Sequence, residues 1–141
     1  MSVYAESSAV LAWLLDEDSA PEIRKLLAAQ DLIVASDLTL IECDRVLLRA
    51  ASLGELTEAD AADRRGHLTE TSSHWQILRI SPEIVARARR PFPGDPIRTL
   101  DAIHLASALV ARAAVPGLQL LTLDDRVRRV AQAWGFETLP A

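Results

Sequence analysis

The chain has a single cysteine, Cys43, which excludes an internal disulfide and any zinc site built on cysteines. Its expected role is that of a small buried apolar residue. Three histidines, His67, His74 and His104, are scattered without ligand spacing, so a histidine-based zinc site is excluded as well. No apolar run approaches the roughly 18 residues of a membrane span. The N-terminal residues also lack the basic, apolar and cleavage segments of a signal peptide. The expectation is a cytoplasmic protein with no membrane partner. Lys25 is the only lysine among 15 basic residues, against 20 acidic ones, for a formal charge of −5. That balance argues against a generic basic coat for nucleic acid. It does not exclude a nucleic-acid enzyme whose site is loaded with cations.

What is present is ordinary globular material: 141 residues, half apolar and a quarter charged, enough for one domain (residues 1–141) with a real core. Residues 2–6 read as a short buried strand, followed by an apolar helix over 9–15 that opens at Ser7-Ser8. A second helix has Ser19 as cap and Pro21 in its first turn, with Ile23, Leu26 and Leu27 on one face. Leu32-Ile33-Val34-Ala35 is the continuous apolar type of strand expected in a parallel sheet. Ser36 or Asp37 caps a helix that runs to Leu53 and stops at Gly54. Thr57 and Asp60 start a polar, Ala-rich helix to about Thr71, placed on the periphery.

A strand is expected over 75–80, and a helix from Ser81-Pro82-Glu83 that breaks at Pro91. Residues 91–96, Pro-Phe-Pro-Gly-Asp-Pro, exclude regular structure. Residues 98–110 read as a strong helix with Thr99 as its cap and Asp101 in its first turn. A buried strand at 118–122 leads into Asp124-Asp125 and a helix through Trp134, with a last edge strand at 136–139. Strands separated by helices imply an α/β fold: a central, mostly parallel sheet flanked by helices in three layers. In such folds the working crevice lies outside the carboxyl ends of the strands.

That rule gathers the acids. Glu6 ends the first strand and Asp124 follows the strand at 118–122, so both belong to one sheet edge. Glu42 and Asp101 lie in the first turns of helices. Carboxylates that converge repel one another unless cations are present, and a hard divalent cation with oxygen ligands, Mg²⁺ or Mn²⁺, is the usual resolution. Such a cation can activate water and stabilise charge on a phosphate during phosphodiester hydrolysis. Taken singly each acid has a plainer reading: Asp124 as a helix N-cap, Glu42 as solvated surface, Asp101 as a partner for the helix dipole.

Four segments carry a resemblance: Val3-Tyr4-Ala5-Glu6-Ser7-Ser8-Ala9-Val10; Glu42; Arg98-Thr99-Leu100-Asp101-Ala102-Ile103-His104-Leu105-Ala106; and Leu121-Thr122-Leu123-Asp124-Asp125-Arg126. In this order they resemble the motifs of PIN-domain proteins, most of all VapC-type toxins of bacterial toxin–antitoxin pairs. The resemblance implies a Mg²⁺- or Mn²⁺-dependent endoribonuclease that dimerises and is silenced by a VapB-like antitoxin. It implies catalytic roles for Glu6, Glu42, Asp101 and Asp124, with Glu6, Asp101 and Asp124 as metal ligands. Ser7, Ser8, Thr122 and Asp125 then support the site, and Arg98 contacts RNA. Glu6 stands where the family usually has Asp. The extra methylene moves the carboxylate outward by roughly one bond length, which leaves either a working site of shifted geometry or a weakened nuclease that mainly sequesters an antitoxin.

Other residues are open. Arg87, Arg89 and Arg90 beside the Pro-rich loop, and Arg126, Arg128 and Arg129 after the last acid, are either solvated surface or phosphate contacts. His104, one turn after Asp101, reads as structural rather than as a general base. Trp13, Trp75 and Trp134 read as core or interface anchors, and the helix at 9–15 and the amphipathic one after Ser19 as walls of a groove for a partner helix. A phosphate-receiver or phosphatase reading is poorer: Lys25 is far from the acids in sequence, and no Asp-x-Asp follows the first strand.

Overall fold

The computed structural model describes residues 1–141. β1 (Ser2–Ala5) is the middle of a five-stranded parallel sheet. On one side it pairs with β2 (Leu32–Ser36), which pairs with β3 (Gln76–Leu78); on the other it pairs with β4 (Gln119–Leu121), then β5 (Thr138–Leu139). The order is β3-β2-β1-β4-β5, so the chain moves outward from β1 and then returns to its opposite side. The crevice between β1 and β4 is therefore the topological switch point, where parallel α/β sheets place their sites.

Apolar residues fill both faces because successive strand side chains alternate. Val3, Ala5, Ala35 and Leu121 face one core with α1 (Ser7–Leu14), α2 (Ala20–Ala28) and α3 (Asp37–Ser52). Tyr4, Val34 and Leu120 face the other, with α6 (Thr99–Ala114) and α7 (Asp125–Ala133). α5 (Pro82–Ala88) packs on α6. α4 (Glu58–Ser72) is the outermost helix of the first layer, yet Leu68 reaches the core at 2% exposure. The three-layer α/β architecture agrees with the sequence reading. No helix is long and apolar enough to cross a membrane.

Several boundaries differ from expectation for identifiable reasons. The strand expected at 75–80 is cut to three residues, because β2 ends at Ser36 opposite Leu78 and offers Arg79 and Ile80 nothing to pair with. Glu6 is not the last strand residue but the N-cap of α1. Thr99 is the first residue of α6 rather than its cap; Arg98 holds the cap position without a side-chain cap bond. Glu42 lies in the second turn of α3, whose start is instead secured by Ser36 and Thr39 arranged as a capping box. Helix α3 stops as expected where Gly54 takes a φ of 74°, a left-handed conformation that glycine adopts without Cβ strain. The groove expected beside Trp13 is not an apolar one. The Trp13 ring is met edge-on by His67 of α4, with centroids 4.9 Å apart, and the adjoining hollow is lined by Asp16, Arg24, Asp60, Asp63 and Arg64.

Candidate active site

The parallel ladder brings the ends of β1 and β4 side by side: Ala5 pairs with Leu121, and Glu6 N donates to Leu121 O at 3.0 Å. The residues that follow, Glu6-Ser7-Ser8 and Thr122-Leu123-Asp124, therefore meet at one edge, although Glu6 and Thr122 are 116 residues apart in sequence.

Glu6 is buried, at 5% exposure, and its Oε2 collects three donors. Ser8 N lies at 3.0 Å, the Ser8 hydroxyl makes a short bond, and Thr122 Oγ1 donates at 2.9 Å. Glutamate is an uncommon N-cap; here its extra methylene lets it fold back onto the helix start while Oε1 takes no hydrogen bond. Thr122 is fully buried and also accepts from Asp124 N at 3.1 Å, so a single hydroxyl couples the two strand ends.

Asp124 caps α7: its Oδ1 accepts from Arg126 N at 2.8 Å and Val127 N at 3.0 Å. The N-cap reading and the site reading both hold, because Oδ2 points elsewhere, to Arg98 Nη2 at 3.0 Å. The same guanidinium donates from Nε to Asp101 Oδ2 at 2.8 Å. Asp101 is 7% exposed, whereas the Arg98 side chain is 60% exposed. An accessible cation thus bridges two carboxylates of the edge. The hydrogen bond and charge of Asp101, with those of Asp124, push the guanidinium pKa above its ordinary value.

Glu42 approaches from α3. Its Oε1 accepts from Ser7 Oγ at 2.8 Å and lies 2.5 Å from His104 Nε2. Burial pushes the Glu42 carboxyl up; the His104 hydrogen bond and charge, then Ser7 and Arg98, outweigh it, and the pKa settles below the ordinary value. His104 is 1% exposed, and its other nitrogen, Nδ1, is 3.0 Å from the Tyr4 hydroxyl, which also bonds Ser36 Oγ at 3.1 Å. Burial pushes the Tyr4 phenol up to about 12. Sequence reasoning took Tyr4 as a core residue of β1 and did not include it or Ser36 in the site. The available signal was a phenol inside a buried strand, whose hydroxyl must find a partner.

The structure brings Glu6, Ser7, Ser8, Glu42, Arg98, Asp101, Thr122 and Asp124 to this edge and does not bring Asp125 there. Asp125 is exposed and lines a separate hollow with Arg128 and Glu137. The arginines also separate. Arg98, Arg126 and Arg129 line a cleft of about 510 Å³ that has Asp101 in its wall. Arg87 stacks on Phe92 and Trp134, 4.7 Å from each centroid. Arg128 secures the C-terminal strand through Thr122 O and Pro140 O.

The donor set is one of hard carboxylate oxygens, the chemistry that suits Mg²⁺ or Mn²⁺. As the side chains stand, no group of three His, Cys, Asp or Glu is close enough to hold a metal ion. Arg98 occupies the position of a shared cation between Asp101 and Asp124, and Glu42 is drawn toward His104. The residues fit a divalent cation in kind, with Arg98 as its counterpart within the chain.

A sheet that switches direction at its central strand, with acids from four elements at that point, is the arrangement of a PIN domain. The PIN-domain family model matches residues 3–133, and the chain belongs to that family. Within it the chain is similar to ribonuclease VapC46 of Mycobacterium tuberculosis, 33% identical over 138 residues that cover 98% of this chain and 96% of the relative. Two solved structures share the fold at 16% identity. VapC20 of M. tuberculosis, described as a sarcin-ricin loop cleaving toxin, superposes with a TM-score of 0.65 over 95% of each chain. VapBC2 of Rickettsia felis, bound to a DNA fragment from its promoter, gives 0.64 over 98% of this chain and 97% of that one. The family expected from the four motifs is the family found.

Proposed function

We propose that the chain is a cytoplasmic endoribonuclease toxin of the VapC type, hydrolysing RNA phosphodiester bonds and silenced by a cognate VapB-like antitoxin. One observation carries this reading: Glu6, Glu42, Asp101 and Asp124, from four separate elements, meet at the sheet's switch point beside an arginine-lined cleft. The similarity to ribonuclease VapC46 across nearly the whole chain supports it.

Glu6, Asp101 and Asp124 would hold Mg²⁺ or Mn²⁺, which when bound supplies charge to stabilise the phosphate and lowers the pKa of water. Glu6 offers Oε1, since Oε2 is held by Ser8 and Thr122. Asp124 offers Oδ2, since Oδ1 is committed to the cap. Arg98, with Arg126 and Arg129 along the cleft, would take the RNA phosphates. Arg98 must leave Asp101 and Asp124 to do so. Glu42 keeps Oε2 free of hydrogen bonds and would receive the proton of the attacking water. Exposed Ile41, Leu53 and Leu100 supply apolar surface for an antitoxin and for a second copy in a homodimer.

The reading of a weakened module that mainly sequesters an antitoxin rests on Glu6. Because Oε1 of the longer side chain stays available, nothing at the site favours that reading. The test is cleavage of total RNA by the purified protein with Mn²⁺, alongside growth arrest on induction in a bacterial host. Asp101→Asn is expected to lower cleavage by at least about 100-fold and to abolish arrest. If the parent protein cuts no RNA while Asp101→Asn arrests growth as strongly as the parent, the proposal fails.

A further inference from the structure

Buried polar groups that the reading above leaves without a task are Tyr4 and His104. They form one chain with Glu42: Tyr4 hydroxyl, His104 Nδ1, His104 Nε2, Glu42 Oε1. Hydrogen placement follows from the distances. A carboxylate oxygen 2.5 Å from a ring nitrogen needs a hydrogen between them, since two lone pairs at that separation repel. Ser7 already gives its hydrogen to the same Glu42 oxygen, so the hydrogen facing Glu42 sits on His104 Nε2. On the far side of the ring Nδ1 lies 3.0 Å from the Tyr4 oxygen, whose own hydrogen goes to Ser36 Oγ at 3.1 Å.

We infer that His104 is a positioning residue for Glu42. Its Nε2–H fixes Glu42 Oε1 against α1, so that Oε2 faces the reacting water, and the Tyr4 oxygen holds the far edge of the ring in place. Two features distinguish this from a histidine that only fills the core. The ring is 1% exposed, yet both of its nitrogens are partnered, and one partner is a carboxylate of the site. Ser7 braces the same oxygen from a second direction, 2.9 Å from Nε2, so the Glu42 rotamer is set by two donors on different elements. The inference rests on the nuclease reading above.

Two substitutions separate geometry from bulk. Glutamine places its amide nitrogen near the position of Nε2, whereas asparagine reaches only as far as Nδ1. With a mixed-sequence fluorophore-labelled RNA oligonucleotide and Mn²⁺, His104→Asn is expected to lower kcat by about 10- to 100-fold, the range that loss of positioning costs. KM and the Mn²⁺ affinity from calorimetry should stay near the parent values. His104→Gln should recover most of the lost kcat. Equal loss in both variants, or losses that follow their melting temperatures, would overturn the inference. A readout free of activity is the hydrogen on Nε2 itself. Nitrogen-15 spectra of histidine-labelled protein, assigned by the signal missing in His104→Gln, should show hydrogen on Nε2, whatever Nδ1 carries, with a shift on Glu42→Gln. A bare Nε2 sinks this inference alone. A parent protein that cleaves nothing with Mn²⁺ bound sinks the nuclease reading, and the catalytic role of His104 with it.

Discussion

Thr122→Val isolates the hydroxyl that ties the two halves of the site. Valine matches threonine in shape, so a fully buried position gains no cavity; only the polar contacts change. Three are lost: the bond donated to Glu6 Oε2 at 2.9 Å, the one accepted from Asp124 N at 3.1 Å and a longer contact of 3.3 Å with Ser8 Oγ, of which the first two dominate. A hydrogen bond to a charged group contributes about 1.5–3 kcal/mol, and a buried amide left unpaired costs about 1–3 kcal/mol. The two effects share one hydroxyl and overlap, so the expected loss is roughly 2–4 kcal/mol. For a domain of this length each kcal/mol moves the midpoint by about 3 °C, which places Thr122→Val roughly 6–12 °C below the parent. The assay is thermal unfolding followed by tryptophan fluorescence at neutral pH without divalent metal. Thr122→Ser keeps the hydroxyl, gives up one methyl and should lose only about 1 kcal/mol. The reasoning is refuted if Thr122→Val melts within about 2 °C of the parent, or if the serine variant falls as far as the valine one.

Three further outcomes are expected. Because Arg98 bridges Asp101 and Asp124, Arg98→Ala should tighten Mn²⁺ binding several-fold in calorimetry while raising KM for RNA; unchanged or weaker metal binding would show that the arginine does not compete with the cation. The Glu42 carboxyl lies below its ordinary value of 4.5, so the fold favours its ionised form. Its contribution to stability is complete above that value and disappears as pH falls through the depressed one. Urea unfolding from about pH 5 downward should therefore lose stability less steeply in Glu42→Gln than in the parent. Cys43 is fully buried, and burial, with the charges of Glu42, Glu6 and Asp44, pushes its thiol up, so a thiol reagent should label it only as fast as the protein unfolds.

The layers, the parallel sheet and the helix ends were legible because each rests on local chemistry: continuous apolar strands, Pro82 after Ser81, Gly54 closing α3. What was not legible depends on partners distant in sequence. The length of β3 is set by where β2 stops, and the cap of α1 is a glutamate whose reach becomes useful only beside Thr122. The resemblance implied a supporting place for Asp125 beside Asp124, but adjacent residues at a helix start diverge, and Asp125 faces a different hollow. His104, one turn after Asp101, was read as structural rather than as a general base. The contact that gives it a further role comes from α3, more than a third of the chain away, as does the one from Tyr4 in β1.

The sheet order has a temporal consequence. During synthesis β1, β2 and their helices emerge first, yet β1 lacks its second neighbour until β4 is made. Through that interval Glu6 has Ser8 but not Thr122, and neither Asp101's companion Asp124 nor the far wall of the arginine cleft exists. A nascent chain on the ribosome thus keeps an open sheet edge, and the candidate site is assembled only when β4 pairs with β1. The interval between emergence of β1 and arrival of β4 is a period in which a partner can meet the chain before it can cleave anything.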